Sequence, residues 1–310
     1  MRSTFYLFAT ALLLLASACT PKSQQSAVQP GLKGIATESF LGDIAANVAG
    51  DRVHFSSLIP PGVDPHAFEP VPSDIIRVSQ SQILIENGAG LETWLLPILE
   101  NASGDRTIVQ ASQGLTGRKP SPGEAGLGDP TAGIDPHFWL DPLLVVTYVE
   151  NIRAGLTQMD PAGEDGYKAR AAAYTTQLKE LDQWIQSRVA EIPPEKRLLV
   201  TNHETLGYFA DRYGFTVIGT IIPGTSTSVA PGARDLASLE ERIRSTGARA
   251  IFIESGSNLD LAMQIGRDTD VRVVSDLYTH ALSNENGPAP TYIEMMKHNV
   301  NLIVDALKGK

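Results

Sequence analysis

Between Asp160-Pro161 and Pro193-Pro194 the chain runs for about thirty residues without a proline, and its apolar positions Tyr167, Ala171, Tyr174, Leu178, Leu181, Ile185 and Val189 keep three- and four-residue steps. That period predicts one amphipathic helix from about Ala162 to Glu191. At 1.5 Å per residue it would span on the order of 45 Å, too long to bury inside one small lobe. On its N-terminal side, apolar strand-like runs (LKGIATESF, DRVHFSSLIP, QILIE, RTIVQ) alternate with helix-like ones (LGDIAANVAG, the segment after Ser73, LETWLLPILENA, LLVVTYVENIRAGLTQM). On its C-terminal side the alternation restarts with RLLVT, FTVIGTII, RAIFIE and VRVVSD as strands, and a last helix is expected from about Thr291 to Leu307. Strands separated by helices are the signature of βαβ units and parallel sheets. The expected fold is therefore α/β, two lobes with parallel sheets joined by one long rigid linking helix.

A chain of 310 residues suits two such lobes better than one core. Its 42% hydrophobic and 19% charged residues are those of an ordinary soluble protein. The net charge is −10 and no basic run occurs, which argues against a nucleic-acid partner, since phosphate binding needs clustered Lys and Arg. Arg2 followed by the apolar run Tyr6 to Ala16 and the small residues Ser17 and Ala18 reads as a secretory leader over residues 1–18. Cys19, the only cysteine, excludes an internal disulfide, and its position after Ala16-Ser17-Ala18 resembles a bacterial lipobox, in which this cysteine carries the lipid. Residues 19–32 are then the lipidated end and a flexible polar tether, 33–160 the first lobe, 161–192 the linking helix and 193–310 the second lobe.

Two tripeptides stand out, Asp64-Pro65-His66 and Asp135-Pro136-His137, 71 positions apart and each in a Gly, Pro and Asp context that reads as loop. His203 follows the strand RLLVT, and Asp276 lies at the end of VRVVSD. In α/β sheets, ligands bind outside the carboxyl ends of strands, where all four are expected. The separations His66 to His203 (137 residues) and His137 to Asp276 (139 residues) are nearly equal and hint at a duplicated arrangement. Three imidazoles and a carboxylate suit Zn²⁺ in tetrahedral geometry and would accept Mn²⁺ with a bidentate carboxylate. A lone loop histidine is more often a surface residue, and His54, His280 and His298, in a strand, a polar loop and a helix face, match no such pattern. His203-Glu204 is not a zinc-protease motif, because Gly207 stands where the second histidine would be, and Gly88-Ala89-Gly90 is not a dinucleotide loop, because Thr93 replaces its third glycine.

The runs PPGVDPHAFEPVPSDI, ENGAGLETWL, DPHFWLDP, TNHETLGYFADRYG and IFIESGSN, followed by VVSDLY, resemble the metal-binding lipoprotein family that serves bacterial zinc and manganese ABC importers. The resemblance covers about Gly34 to Leu307 and implies two four-stranded lobes with the metal in the cleft, held by His66, His137, His203 and Asp276. In that family the third position is often Glu in manganese members and usually His in zinc members, so His203 points to zinc, with manganese as the alternative; imidazole is the softer donor. Also implied are a permease partner, a monomer held to the outer side of the membrane by its lipid, and no catalysis. Loop 114–134 carries no histidine, unlike the metal-gathering loop of many zinc members, and Ala230 and Gly232 stand where relatives often have an acid and a serine. Glu204, Asp135 and Glu254 are the candidates for orienting the imidazoles. Two other readings use the same residues: a zinc hydrolase with three histidines and Asp276 as base, and a surface adhesin without transport.

Overall fold

The computed structural model describes residues 31–118, 134–227 and 230–308. The expected leader, Cys19, the tether up to Pro30 and loop residues 119–133 lie outside the described residues. The first lobe is built from β1 (Leu32–Ala36), α1 (Ser39–Ala49), β2 (Val53–Ser57), α2 (Pro72–Ser79), β3 (Ile83–Glu86), α3 (Leu95–Asn101), β4 (Thr107–Gln110) and α4 (Val145–Met159). After α5 (Glu164–Val189) come β5 (Leu198–Thr201), α6 (Gly207–Tyr213), β6 (Thr216–Thr220), α7 (Ala233–Thr246), β7 (Ala250–Glu254), α8 (Asp260–Thr269), β8 (Arg272–Leu277) and α9 (Tyr292–Leu307). All pairings are parallel, and the two sheets have the corresponding orders β2-β1-β3-β4 and β6-β5-β7-β8.

The strands are apolar on both faces because both faces are covered. Successive side chains alternate between two cores: Leu84 of β3 packs with Val78, Leu95 and Ile98 under α2 and α3, while Ile83 and Ile85 turn towards α1 and α4. In the second lobe Ile251 and Ile253 of β7 pack with Leu239, Ile243 and Ile265 of α7 and α8, and Ala250 and Phe252 face the other way. Those inward faces belong to one continuous core that includes Ala36, Ile85 and Val109 of the first sheet, Leu199, Phe252 and Val274 of the second, and the buried stripe of α5. The expected linking helix is 26 residues long, about 39 Å, and packs on α1, α4 and α9.

Three elements start later than their composition suggests, each for a local reason. α3 begins at Leu95 rather than Leu91, because Gly88, Ala89 and Gly90 all adopt positive φ and wrap their loop around Glu92, whose carboxylate accepts the Asn87 and Gly88 amides at 2.5 and 3.0 Å. α6 begins at Gly207 rather than Glu204, since the Thr205 amide turns back to the His203 carbonyl at 2.8 Å. At the entry to α5, Pro161–Gly163 form a 3-10 turn.

Candidate metal centre

The two Asp-Pro-His tripeptides use one device. Proline offers no N–H, so the preceding aspartate turns its carboxylate to the amide of the histidine two positions on, closing an Asx turn. Asp64 Oδ1 accepts from the His66 amide at 2.9 Å and Asp135 Oδ1 from the His137 amide at 3.0 Å. Each turn is then pinned from outside. The Trp94 indole donates to the Pro65 carbonyl at 2.9 Å, and the Asn87 side-chain amide donates to the Pro136 carbonyl at 3.1 Å. His66 and His137 thus stand at the rim of the first lobe.

Across the cleft, His203 lies two residues beyond β5, its carbonyl held by the Thr201 hydroxyl at 2.7 Å. The fourth group is His280, three residues beyond β8. One nitrogen from each of His66, His137, His203 and His280 lies within 4.8 Å of all the others. His137 Nε2 is 3.3 Å from His66 Nε2 and 3.2 Å from His280 Nε2. Four nitrogens bonded tetrahedrally to Zn²⁺ at its usual bond length would form edges of about 3.3 Å. His137 and His203 are fully buried, His280 is 8% exposed, and His66 is the most accessible of the four.

Asp276, expected as the fourth ligand, is not in this cluster. β8 carries an irregularity: Phe252 of β7 pairs with Val274, but Glu254 pairs with Leu277, so one more residue is used on β8 than on β7. Asp276 sits in that bulge with φ at 70° and is exposed, its carboxylate accepting from Ser275 Oγ at 3.0 Å and its carbonyl facing His298 Nε2 at 3.0 Å. The strand continues through Leu277, so its carboxyl end lies at Tyr278 to His280 rather than at Asp276. The near-equal spacing that suggested duplication goes with it, since His137 and His280 are 143 residues apart. His280 was legible only through the true end of β8, which a bulge hides from a count along the chain.

Carboxylates hold the far sides of three rings. Asp135 Oδ1 lies 2.8 Å from His137 Nδ1. Glu254, at the end of β7, places Oε1 3.1 Å from His203 Nδ1 and Oε2 3.5 Å from His280 Nδ1. The third candidate, Glu204, is buried with its amide on the Gly224 carbonyl at 3.0 Å. Burial, and then the neighbouring His280 and His203 rings, draw the His66 imidazole down to about 2. The same causes in the same order, with His66 added, hold His137 well below its ordinary range. Burial pushes the Glu254 carboxyl up, but His203 and His280 outweigh it and keep it well below the usual range. Burial and crowding thus favour the uncharged form of the His66 and His137 rings, the form in which an imidazole binds a metal ion.

Several contacts close the cleft around it. The Trp139 indole, from the first lobe, donates to the Thr279 carbonyl beside His280 at 2.6 Å. Thr227 of the second lobe donates to Asp64 Oδ2, and Tyr208 of α6 donates to the Asp135 carbonyl at 2.7 Å. Gly256, with φ at 86°, brings its Cα so close to the Gly62 carbonyl that a Cβ there would stand 2.9 Å from that oxygen. A pocket of about 150 Å³, lined among others by Asp64, Glu254, Gly256, Tyr278 and His280, lies against the cluster.

The family model for the zinc-uptake complex component A, periplasmic, matches residues 35–306. Among curated relatives, the chain is 36% identical over 277 residues, 89% of each chain, to the manganese-binding lipoprotein MntA of Halalkalibacterium halodurans. It is 30% identical over 308 residues, 96% of each chain, to the manganese ABC transporter substrate-binding lipoprotein PsaA of Streptococcus pneumoniae. Among solved structures, the periplasmic zinc binding protein TroA from Treponema pallidum superposes with a TM-score of 0.80 at 29% identity, over 89% of this chain and 99% of that one. These relatives are transport or metal-binding proteins and not enzymes, which removes the hydrolase reading, as does the position of Asp276 outside the cluster. The chain belongs to the zinc-uptake component A family, the metal-binding substrate-binding proteins of ABC transporters.

Proposed function

We propose that this protein captures Zn²⁺ between its lobes and passes it to the membrane permease of an ABC importer, working as a monomer anchored to the outer side of the membrane through a lipid on Cys19. The observation that carries the reading is the convergence of four imidazole nitrogens, three of the rings buried, with edges of 3.2 and 3.3 Å. A set of four protein donors leaves no position for a reacting water, which suits carrying rather than catalysis. Four nitrogens with no oxygen among the clustered donors favour zinc over manganese, which prefers carboxylate and water at higher coordination number. Among the described residues no helix is long and apolar enough to cross a membrane. A manganese reading draws on the relatives named for that metal. Anomalous diffraction across the zinc and manganese edges, on protein purified without added metal, separates the two: a peak at the zinc edge among the four histidines is expected, and a manganese peak there would reverse the assignment.

A further inference from the structure

Among the described residues, Glu254 is a carboxylate placed against two of the four imidazoles. Its Oε1 is 3.1 Å from His203 Nδ1 and its Oε2 is 3.5 Å from His280 Nδ1. The two rings it serves are nearly parallel, 14° between planes and 5.1 Å between centroids, whereas His66 and His137 meet them edge-on. Glu254 is itself held, since the Thr205 hydroxyl donates to Oε1 at 2.7 Å, and its side chain is only 11% exposed. It also ends β7 where the pairing with β8 shifts, so the bulge that carries Asp276 outward lets His280 come into its reach.

We infer that Glu254 is a positioning residue for metal selectivity, holding the nearly parallel His203 and His280 rings as one fixed pair on one side of a tetrahedral site. The inference rests on the four-histidine reading of the metal centre. A carboxylate on the Nδ1 side of both rings favours an Nδ1–H tautomer in each and, with the Thr205 and Thr279 hydroxyls 3.1 Å from the same two nitrogens, restrains both rings from swinging out. A small cation satisfied by four nitrogens gains from that rigidity. A larger cation that seeks six ligands at longer distances gains little.

A Glu254→Gln variant keeps the size of the side chain but can accept from only one of the two rings. Zinc affinity is expected to fall about 10- to 100-fold, the range for losing an outer partner of a ligand. Manganese affinity should change far less, so the zinc-to-manganese ratio falls about tenfold. On Co²⁺ loading, the intense visible absorption of a tetrahedral site should weaken. Thr205→Val, which removes the hydroxyl shared by Oε1 and the His203 ring (3.1 Å from Nδ1 and 3.0 Å from Nε2), should move the ratio the same way by a smaller factor and serves if the first variant does not fold. A purely structural role would lower both affinities equally and leave the Co²⁺ spectrum of the remaining loaded protein unchanged; that result, or an unaltered ratio, overturns the inference. If His203→Ala binds zinc as tightly as the parent protein, the metal-centre reading itself fails, and this inference with it.

Discussion

His280 and Asp276 are four residues apart, yet a bulge with a left-handed backbone at Asp276 turns that carboxylate to the surface while His280 enters the cleft. Removing one of four ligands should therefore cost far more than removing the exposed acid. His280→Ala is expected to weaken zinc binding by about 100-fold or more, roughly 2.7 kcal/mol, in a chelator competition titration. Asp276→Asn should leave affinity within about twofold, as exposed substitutions generally do; the opposite ranking would return Asp276 to the ligand set. Acid should act on the same residues. His66 is drawn to about 2 in the fold, so below the ordinary histidine range near 6.5 the unfolded chain takes up a proton that the folded chain refuses. Stability is then complete above about pH 6.5 and lost as the pH falls towards 2. At pH 5 this amounts to at most about 2 kcal/mol for the one ring. Urea unfolding of metal-free protein at pH 7 and pH 5 should show a smaller loss in His66→Asn than in the parent, and equal losses would place the acid sensitivity elsewhere.

At the scale of elements, α5 is the spine of the continuous core, and its stripe from Tyr167 to Val189 is buried against α1, α4 and α9. Leu178 is fully buried there, far along the helix from either end. Leu178→Ala should destabilise by about 2–5 kcal/mol through lost transfer energy and the cavity left behind. Because the site is built from loops beyond the strand ends, zinc affinity at a temperature where the variant is folded should remain within about threefold. Chemical unfolding and a binding titration on the same sample test both halves of this statement; a parallel loss of affinity would mean that helix packing sets the ligand geometry. The periodicity of α5 was plain along the chain, since a period of 3.6 needs no partner to be visible. The bulge in β8 was not, because a bulge is defined by the strand beside it.

For the whole molecule, the question is what keeps the lobes together around the cluster. The guanidinium of Arg118, at the foot of the 114–134 loop, bonds Asp211 of α6 at 2.9 Å and stands 3.5 Å from Asp135 Oδ2, while its amide receives no less of an anchor, donating to Tyr208 Oη at 3.1 Å. Gly207 permits this, because a Cβ there would lie 2.2 Å from the Arg118 Nη1 atom. A residue of the first lobe is thus seated on the helix that follows His203, and it touches the carboxylate that orients His137. Arg118→Ala should speed metal release by about tenfold with little change in the association rate, since interface contacts act mostly on dissociation. Stopped-flow transfer to a chromophoric chelator measures both rates. An unchanged release rate would show that Arg118 does not help to hold the lobes closed.

The α/β class, the two alternating series and the helix between them could be read from the chain, because hydrophobic periods of 2 and 3.6 and the helix-stopping prolines are local properties. The two Asp-Pro-His turns were equally legible, since an Asx turn is made by three consecutive residues. His203 could be singled out by its place after an apolar strand. What only the tertiary structure decided is the fourth member of the cluster and the carboxylate that serves two of its rings. Glu254 is the last residue of β7 and His280 comes from the loop beyond β8, two strands whose alignment depends on one extra residue in their pairing. The choice between an exposed aspartate and a buried imidazole was made by the register between two strands, a relation that neither strand carries in its own residues.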